Sequence, residues 1–396
     1  MSLEALFYPK SVAVVGASNN LGSGKMPYFQ IIQGGGFSGP VYPINPKGGE
    51  IGGTQVYKSL DDLPGPVDLA IVAAPVEQSI EIVKAAVRKQ IKFIHFFTSG
   101  FGETGNWKLE KDIISEARKG NLRIVGPNCM GVHCTESKIS FTVIPPQESA
   151  GTIAFLGQSG GVTANFMAMG TTRKIIINKV VSYGNQIDLK IEEYLDYLAD
   201  DENVRLIACY VEDIKDVDGF LRTLRRTTAK KPVIILKGGK TETGSKAAAS
   251  HTGAMASNYT IWEAAVKQHG GLIVDNFDEM MHLVMLGTLR RLPQGKRIGF
   301  LGAGGGVSVL FSDMAAQAGL SLPELGADAQ RMISEKIMGV NTSTVNPVDL
   351  GAFGFDLNVM LHTMKAMDAD ENIDIIVPYF SVEYILRVEL FLNVKN

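Results

Sequence analysis

Cysteine is scarce in this chain, with three in 396 residues, at Cys129, Cys134 and Cys209. Thiols so few and so scattered supply neither a disulfide framework nor a zinc site, and they point to a reducing compartment. An excess of charge of either sign is lacking too. The formal net charge of −3 gives no reason to expect nucleic acid or an anionic membrane surface as a partner. No apolar run approaches the ~20 residues needed to cross a bilayer. The opening Met1-Ser2-Leu3-Glu4 has no basic region followed by an apolar one, so it does not read as a secretory signal. Together these absences predict a cytoplasmic protein without a metal site.

What is present is an ordinary globular composition, 45% hydrophobic and 20% charged, on a chain long enough for two or three domains. Short β-rich runs alternate with longer helical ones. Strands are expected at 11–15, 41–44, 68–73, 93–97 and 123–125, with helices at 27–33 and 76–90. The second helix carries Val76, Ile80, Val83, Ala86 and Val87 at helical spacing. Continuous apolar strands between amphipathic helices predict a parallel sheet covered on both faces, a doubly wound, Rossmann-like α/β domain. Pro145-Pro146-Gln147-Glu148 reads as a linker, after which strands at 152–156, 180–182, 206–210 and 232–236 and a helix at 161–169 restart the pattern. It restarts again after 290–295, with strands at 297–301 and 373–377. The expected division is 1–147, 148–293 and 294–396, the last with too few strands to close its sheet and so apparently truncated.

Ligands of such folds lie at the carboxyl ends of the strands. The first strand runs into Gly16-Ala17-Ser18 and on through Gly22, where glycines let the backbone approach a pyrophosphate at a helix amino end. Alone, that turn is common to many doubly wound folds. The second strand ends in Asn45-Pro46-Lys47. A cofactor with a free ribose 2′-hydroxyl usually meets an acid there. Lys47 instead suits an extra ribose phosphate, as in coenzyme A or NADP, and argues against NAD; a solvated surface lysine is the alternative. Ala74-Pro75, Ser99-Gly100 and Asn128 fall at the remaining strand ends, so these turns converge on one edge of the sheet.

A second concentration of chemistry surrounds Ser250-His251-Thr252-Gly253-Ala254. The approach to it, from Lys237 through Ser245, is almost free of large apolar groups, which predicts a mobile loop. An imidazole on such a loop can serve as a carried nucleophile, although a surface histidine in an alanine-rich linker has the same look. Gln158-Ser159-Gly160-Gly161 joins a strand to a helix, and its free amides form an anion seat or simply an N-capped turn. The glycine run at 302–306 lacks the Gly-Lys-Ser/Thr ending of a nucleotide-triphosphate loop and reads as a tight turn.

These segments, together with Gly126-Pro127-Asn128-Cys129 and Asn346-Pro347-Val348-Asp349, resemble the α-subunit portion of NDP-forming acyl-CoA synthetases, relatives of succinyl-CoA synthetase. The resemblance runs from about Leu6 onward. It implies a coenzyme A-binding domain followed by two flavodoxin-like domains of the succinyl-CoA synthetase type. It implies an acid–thiol ligase in which His251 is phosphorylated and Glu212 is its acidic partner, fixing the ring tautomer. The residues 158–161 would then hold the phosphoryl group. The coenzyme A site would draw on Gly16, Ala17, Ser18, Gly22, Lys47, Ala74, Pro75, Ser99, Gly100 and Asn128. The segment 182–188, also at a strand end, would help line the site. The substrates implied are an acyl-CoA or its carboxylic acid, and phosphate. ADP or ATP with magnesium would sit on an ATP-grasp partner, either a β-type subunit or a fused domain, and an oligomer is expected. Ser257-Asn258-Tyr259 departs from the family's usual exit from the histidine loop. Two other readings are a coenzyme A-sensing regulatory module, against which the intact histidine segment argues, and an NADP-dependent dehydrogenase, which leaves His251 without a role.

Overall fold

The computed structural model describes residues 2–19, 26–142, 149–246, 259–289, 292–337, 339 and 341–382. The chain divides into two compact units, Met1–Leu289 and Arg290–Asn396. In the first unit the strands β1 (Val12–Val15), β2 (Val41–Ile44), a small hairpin of β3 (Glu50–Ile51) and β4 (Thr54–Gln55), β5 (Leu69–Val72), β6 (Phe93–Phe96) and β7 (Arg123–Val125) come first. All but the hairpin form a five-stranded parallel sheet in the order β2-β1-β5-β6-β7. Strands β1, β5 and β6 are buried along their whole length, as a sheet covered on both faces requires. The α/β doubly wound expectation is borne out.

The chain then changes sheets. Strand β8 (Gly131–Cys134) pairs antiparallel with β10 (Ile177–Ser182), at the edge of a second sheet. That sheet also holds β9 (Ile153–Gly157), β11 (Leu206–Val211), β12 (Val233–Lys237) and β13 (Leu272–Val274), in the order β13-β12-β11-β9-β10-β8. Apart from β8 it is parallel. One apolar cluster runs through both sheets, from Phe7 and Tyr28 to Phe155 and Leu236. Each fully buried Leu, Ile or Phe in it stabilises by about 1.5–3 kcal/mol.

Counting only the parallel strands in chain order, both sheets have the order 2-1-3-4-5. In such sheets the crossover direction reverses beside the first strand, and a crevice opens there at the carboxyl ends. The reversal falls between β1 and β5 in one sheet and between β9 and β11 in the other.

The second unit has a parallel sheet of β14 (Ile298–Gly302), β15 (Val348–Asp349) and β16 (Ile375–Pro378), in the order β15-β14-β16. Asn346 is buried at its centre. Its amide donates to the carbonyls of Ile298 and Pro323, at 2.6 and 2.8 Å, and its oxygen accepts the Phe300 amide at 2.9 Å. No helix among the described residues is long and apolar enough to cross a membrane.

Candidate active site

The carboxyl ends of the two sheets in the first unit face a common cleft of about 670 Å³. From the first sheet come Ala74, Pro75, Ser99 and Asn128; from the second come Gln158, Ser159, Gly160, Gly161 and Glu212. Nine of the residues singled out in the sequence thus meet in one place.

Ser159 caps the helix Gly160–Thr172, its hydroxyl accepting the Val162 amide at 3.4 Å. The first amides of a helix have no acceptor within it, so Gly160 and Gly161 bring donors to the cleft wall. The corresponding turn of the second unit differs. There the carboxylate of Asp349 accepts the amides of Gly304 and Gly351, both at 2.9 Å. In the glycine run at 302–306, Gly302 ends the strand Ile298–Gly302 and Gly305 and Gly306 open the helix Gly305–Gln317, and the turn between them is held by Asp349.

Gln158 is buried, and its side-chain oxygen accepts the amides of Glu212 and Asp213 at 2.8 and 2.9 Å. The strand end that carries the seat therefore also sets the position of the acid. Glu212 is half-buried, and its carboxylate accepts the Tyr210 hydroxyl; burial and this neighbouring charge push the phenol upward. Behind Glu212 lies Lys237, also buried, whose ammonium donates to the carbonyls of Glu212 and Gly238 at 2.8 and 2.5 Å. Burial lowers its pKa, against the pull of Asp213 and Glu212. A side chain on Gly238 would stand 2.6 Å from the Tyr210 hydroxyl and 3.2 Å from Glu212 Cγ, so the chain leaving toward His251 passes close against the acid. His251 itself, like Gly22, lies outside the described residues.

The other expected coenzyme residues among the described ones do not line the cleft wall. Gly16, at φ +92°, would place a Cβ 2.3 Å from the Ala73 carbonyl oxygen, so only glycine permits the β1 and β5 ends to meet. The carbonyl of Ala17 accepts from Asn45 at 2.9 Å and that of Ser18 from Gln30 at 3.1 Å. Lys47 is exposed beyond β2. Gly100, at φ +105°, donates its amide to Glu103 at 2.6 Å.

Met130, Phe97 and Val76 also line the cleft without belonging to any motif; the sequence marks Val76 and Phe97 only as apolar helix and strand positions, and Met130 not at all. Gly184 and Asn185, from the segment 182–188, line it too. Asn185 donates to Glu103 at 2.5 Å and to Glu110 at 3.4 Å; burial raises the Glu110 pKa, against its bonds from Gly102 and Asn185. Cys129 is buried at the cleft wall, and burial pushes its thiol pKa up, which disfavours the thiolate.

Residues 10–135 match the model of a CoA binding domain, and residues 150–286 match that of a succinyl-CoA ligase like flavodoxin domain. The acetate–CoA ligase [ADP-forming] II subunit alpha of Pyrococcus furiosus is 37% identical over 384 residues, 95% of this chain and 81% of that protein. The chain belongs to the ADP-forming acyl-CoA ligase family, as an alpha-subunit type. The acetate–CoA ligase [ADP-forming] of Methanocaldococcus jannaschii is 35% identical over 88% of this chain, which spans 49% of that ligase. Among solved structures, a dinucleotide forming acetyl-coenzyme A synthetase 1 from Ca. Korarchaeum cryptofilum, in complex with phosphate and ADP, superposes with a TM-score of 0.86. It is 30% identical and covers 100% of this chain and 87% of its own. The doubly wound ligase architecture and the CoA-binding assignment of the first domain are thereby shared with the family.

Proposed function

We propose that the cleft is where an acyl-CoA, phosphate and His251 react, as the acyl half of an NDP-forming acid–thiol ligase. Coenzyme A lies over the first sheet, with its pyrophosphate end toward 16–18 and Gly22, its ribose phosphate at Lys47, and its thiol end between Ala74, Pro75, Ser99, Gly100 and Asn128. Phosphate is held by the amides at Ser159, Gly160 and Gly161, beside Gln158. A phosphate oxygen attacks the thioester carbonyl; the sulfur leaves as thiolate and takes a proton, and acyl phosphate forms. A ring nitrogen of His251 then attacks phosphorus and the carboxylate departs. Glu212 holds the proton on the other ring nitrogen, so that the attacking nitrogen keeps its lone pair. Fixed backbone donors supply the electrostatic assistance that phosphoryl transfer needs.

The second displacement, from phosphohistidine to NDP, is assigned to an ATP-grasp partner, as a separate subunit or a fused domain, with nucleotide and magnesium bound there. The division at 1–147, 148–293 and 294–396, an oligomeric assembly and a cytoplasmic location complete this reading. The observation that carries it is the meeting of both sheets' reversal points in one cleft, with the helix amino end and Glu212 on one wall and the coenzyme-side turns on the other.

The test is to mix the chain with acyl-CoA thioesters and phosphate, then measure intact mass under alkaline conditions. One acid-labile phosphate forms on the wild type and none on His251→Asn. Labelling that survives the substitution moves the carrier role to another residue.

A further inference from the structure

We infer that Met130 sets the size of acyl group this ligase accepts; the inference rests on the phosphate seat proposed at 159–161. Met130 stands between β7 and β8, on the link that carries the chain from one sheet to the other. Its main chain is fixed at both ends. The amide donates to the Ser182 hydroxyl and the carbonyl accepts the Tyr28 hydroxyl, each at 3.0 Å. Its side chain lies against the first residue of the helix, with Cγ 3.1 Å and Sδ 3.7 Å from where a Cβ on Gly160 would be.

An attacking phosphate oxygen must come within about 3–3.5 Å of the thioester carbonyl. A phosphate on the amides of Gly160 and Gly161 therefore draws that carbonyl to the spot Met130 covers, and the rest of the acyl chain must run along the thioether. Phe97, also at the cleft wall, packs edge-on against Tyr28 at 5.6 Å and continues the apolar surface. An unbranched thioether on a pinned backbone is an adaptable wall, and shortening it opens space for methylenes.

The experiment uses the full chain carrying His251→Asn, with sulfate, a non-nucleophilic stand-in, in place of phosphate, so that thioesters are not consumed. Calorimetry with sulfate present gives the affinities for acetyl-CoA, hexanoyl-CoA and coenzyme A. Met130→Ala shifts the hexanoyl-to-acetyl affinity ratio upward by roughly tenfold or more, and Met130→Phe shifts it downward. Met130→Leu, of similar volume, leaves it within about threefold. Unchanged coenzyme A affinity certifies that each variant is folded; the Phe and Leu variants keep the core filled if the Ala variant is not. Equal ratios across the folded variants overturn the assignment. Because no phosphohistidine is needed, that outcome is separate from failure of wild-type labelling, which bears on His251 alone.

Discussion

The side-chain oxygen of Gln158 accepts the main-chain amide of Glu212 at 2.8 Å, so the residue preceding the helix cap also locates the acid on the neighbouring strand. With the Asp213 amide on the same oxygen, Gln158→Leu leaves two amides without their acceptor. The expected loss is on the order of 2–4 kcal/mol of stability, read from urea unfolding. His251 labelling from acyl-CoA falls with it. Gln158→Glu keeps an acceptor and retains most of the stability; equal losses in both variants would contradict this role.

Lys47 provides a selective test of the coenzyme site. Lys47→Ala weakens coenzyme A binding by about tenfold, the loss of one charge-assisted contact, while dephospho-coenzyme A binds the variant and the wild type alike. Parallel weakening of both ligands would place the lysine elsewhere on the coenzyme.

A pH effect comes from His95 on β6. It is buried, with Nε2 2.9 Å from the Cys129 carbonyl oxygen, and burial lowers its pKa from 6.5 to about 4. The unfolded ring binds a proton near 6.5, where the folded ring does not. Stability is therefore complete above that value and declines as pH falls from 6.5 toward about 4, by on the order of 3 kcal/mol. Urea midpoints across this window measure it, and His95→Gln lessens the slope without abolishing it, because burial also lowers the His133 pKa to about 4.

Much of the fold is legible in the chain because buried parallel strands are written as unbroken apolar runs. Expected strands at 41–44 and 123–125 coincide with β2 and β7, and the helix at 76–90 contains Ser79–Arg88. β8 is not legible in the same way. Gly131-Val132-His133-Cys134 is too short for alternation to show, and its pairing with β10 depends on residues over forty positions away. For the same reason the site was legible as motifs but not as a cleft. The tie from Gln158 to Glu212 and the place of Met130 over Gly160 are contacts between distant segments, which local composition does not encode. The helix cap at Ser159, by contrast, is a three-residue matter and could be read directly.

The crossover of β8 bears on how ligases of this kind could be recombined. A graft that took residues up to 147 as a self-contained coenzyme module would carry away the border strand of its host's other sheet, leaving β10 with bare main-chain groups along one side. Chimaeras that exchange coenzyme recognition should therefore be spliced ahead of Gly131, or should transfer that ribbon and its docking site as a pair.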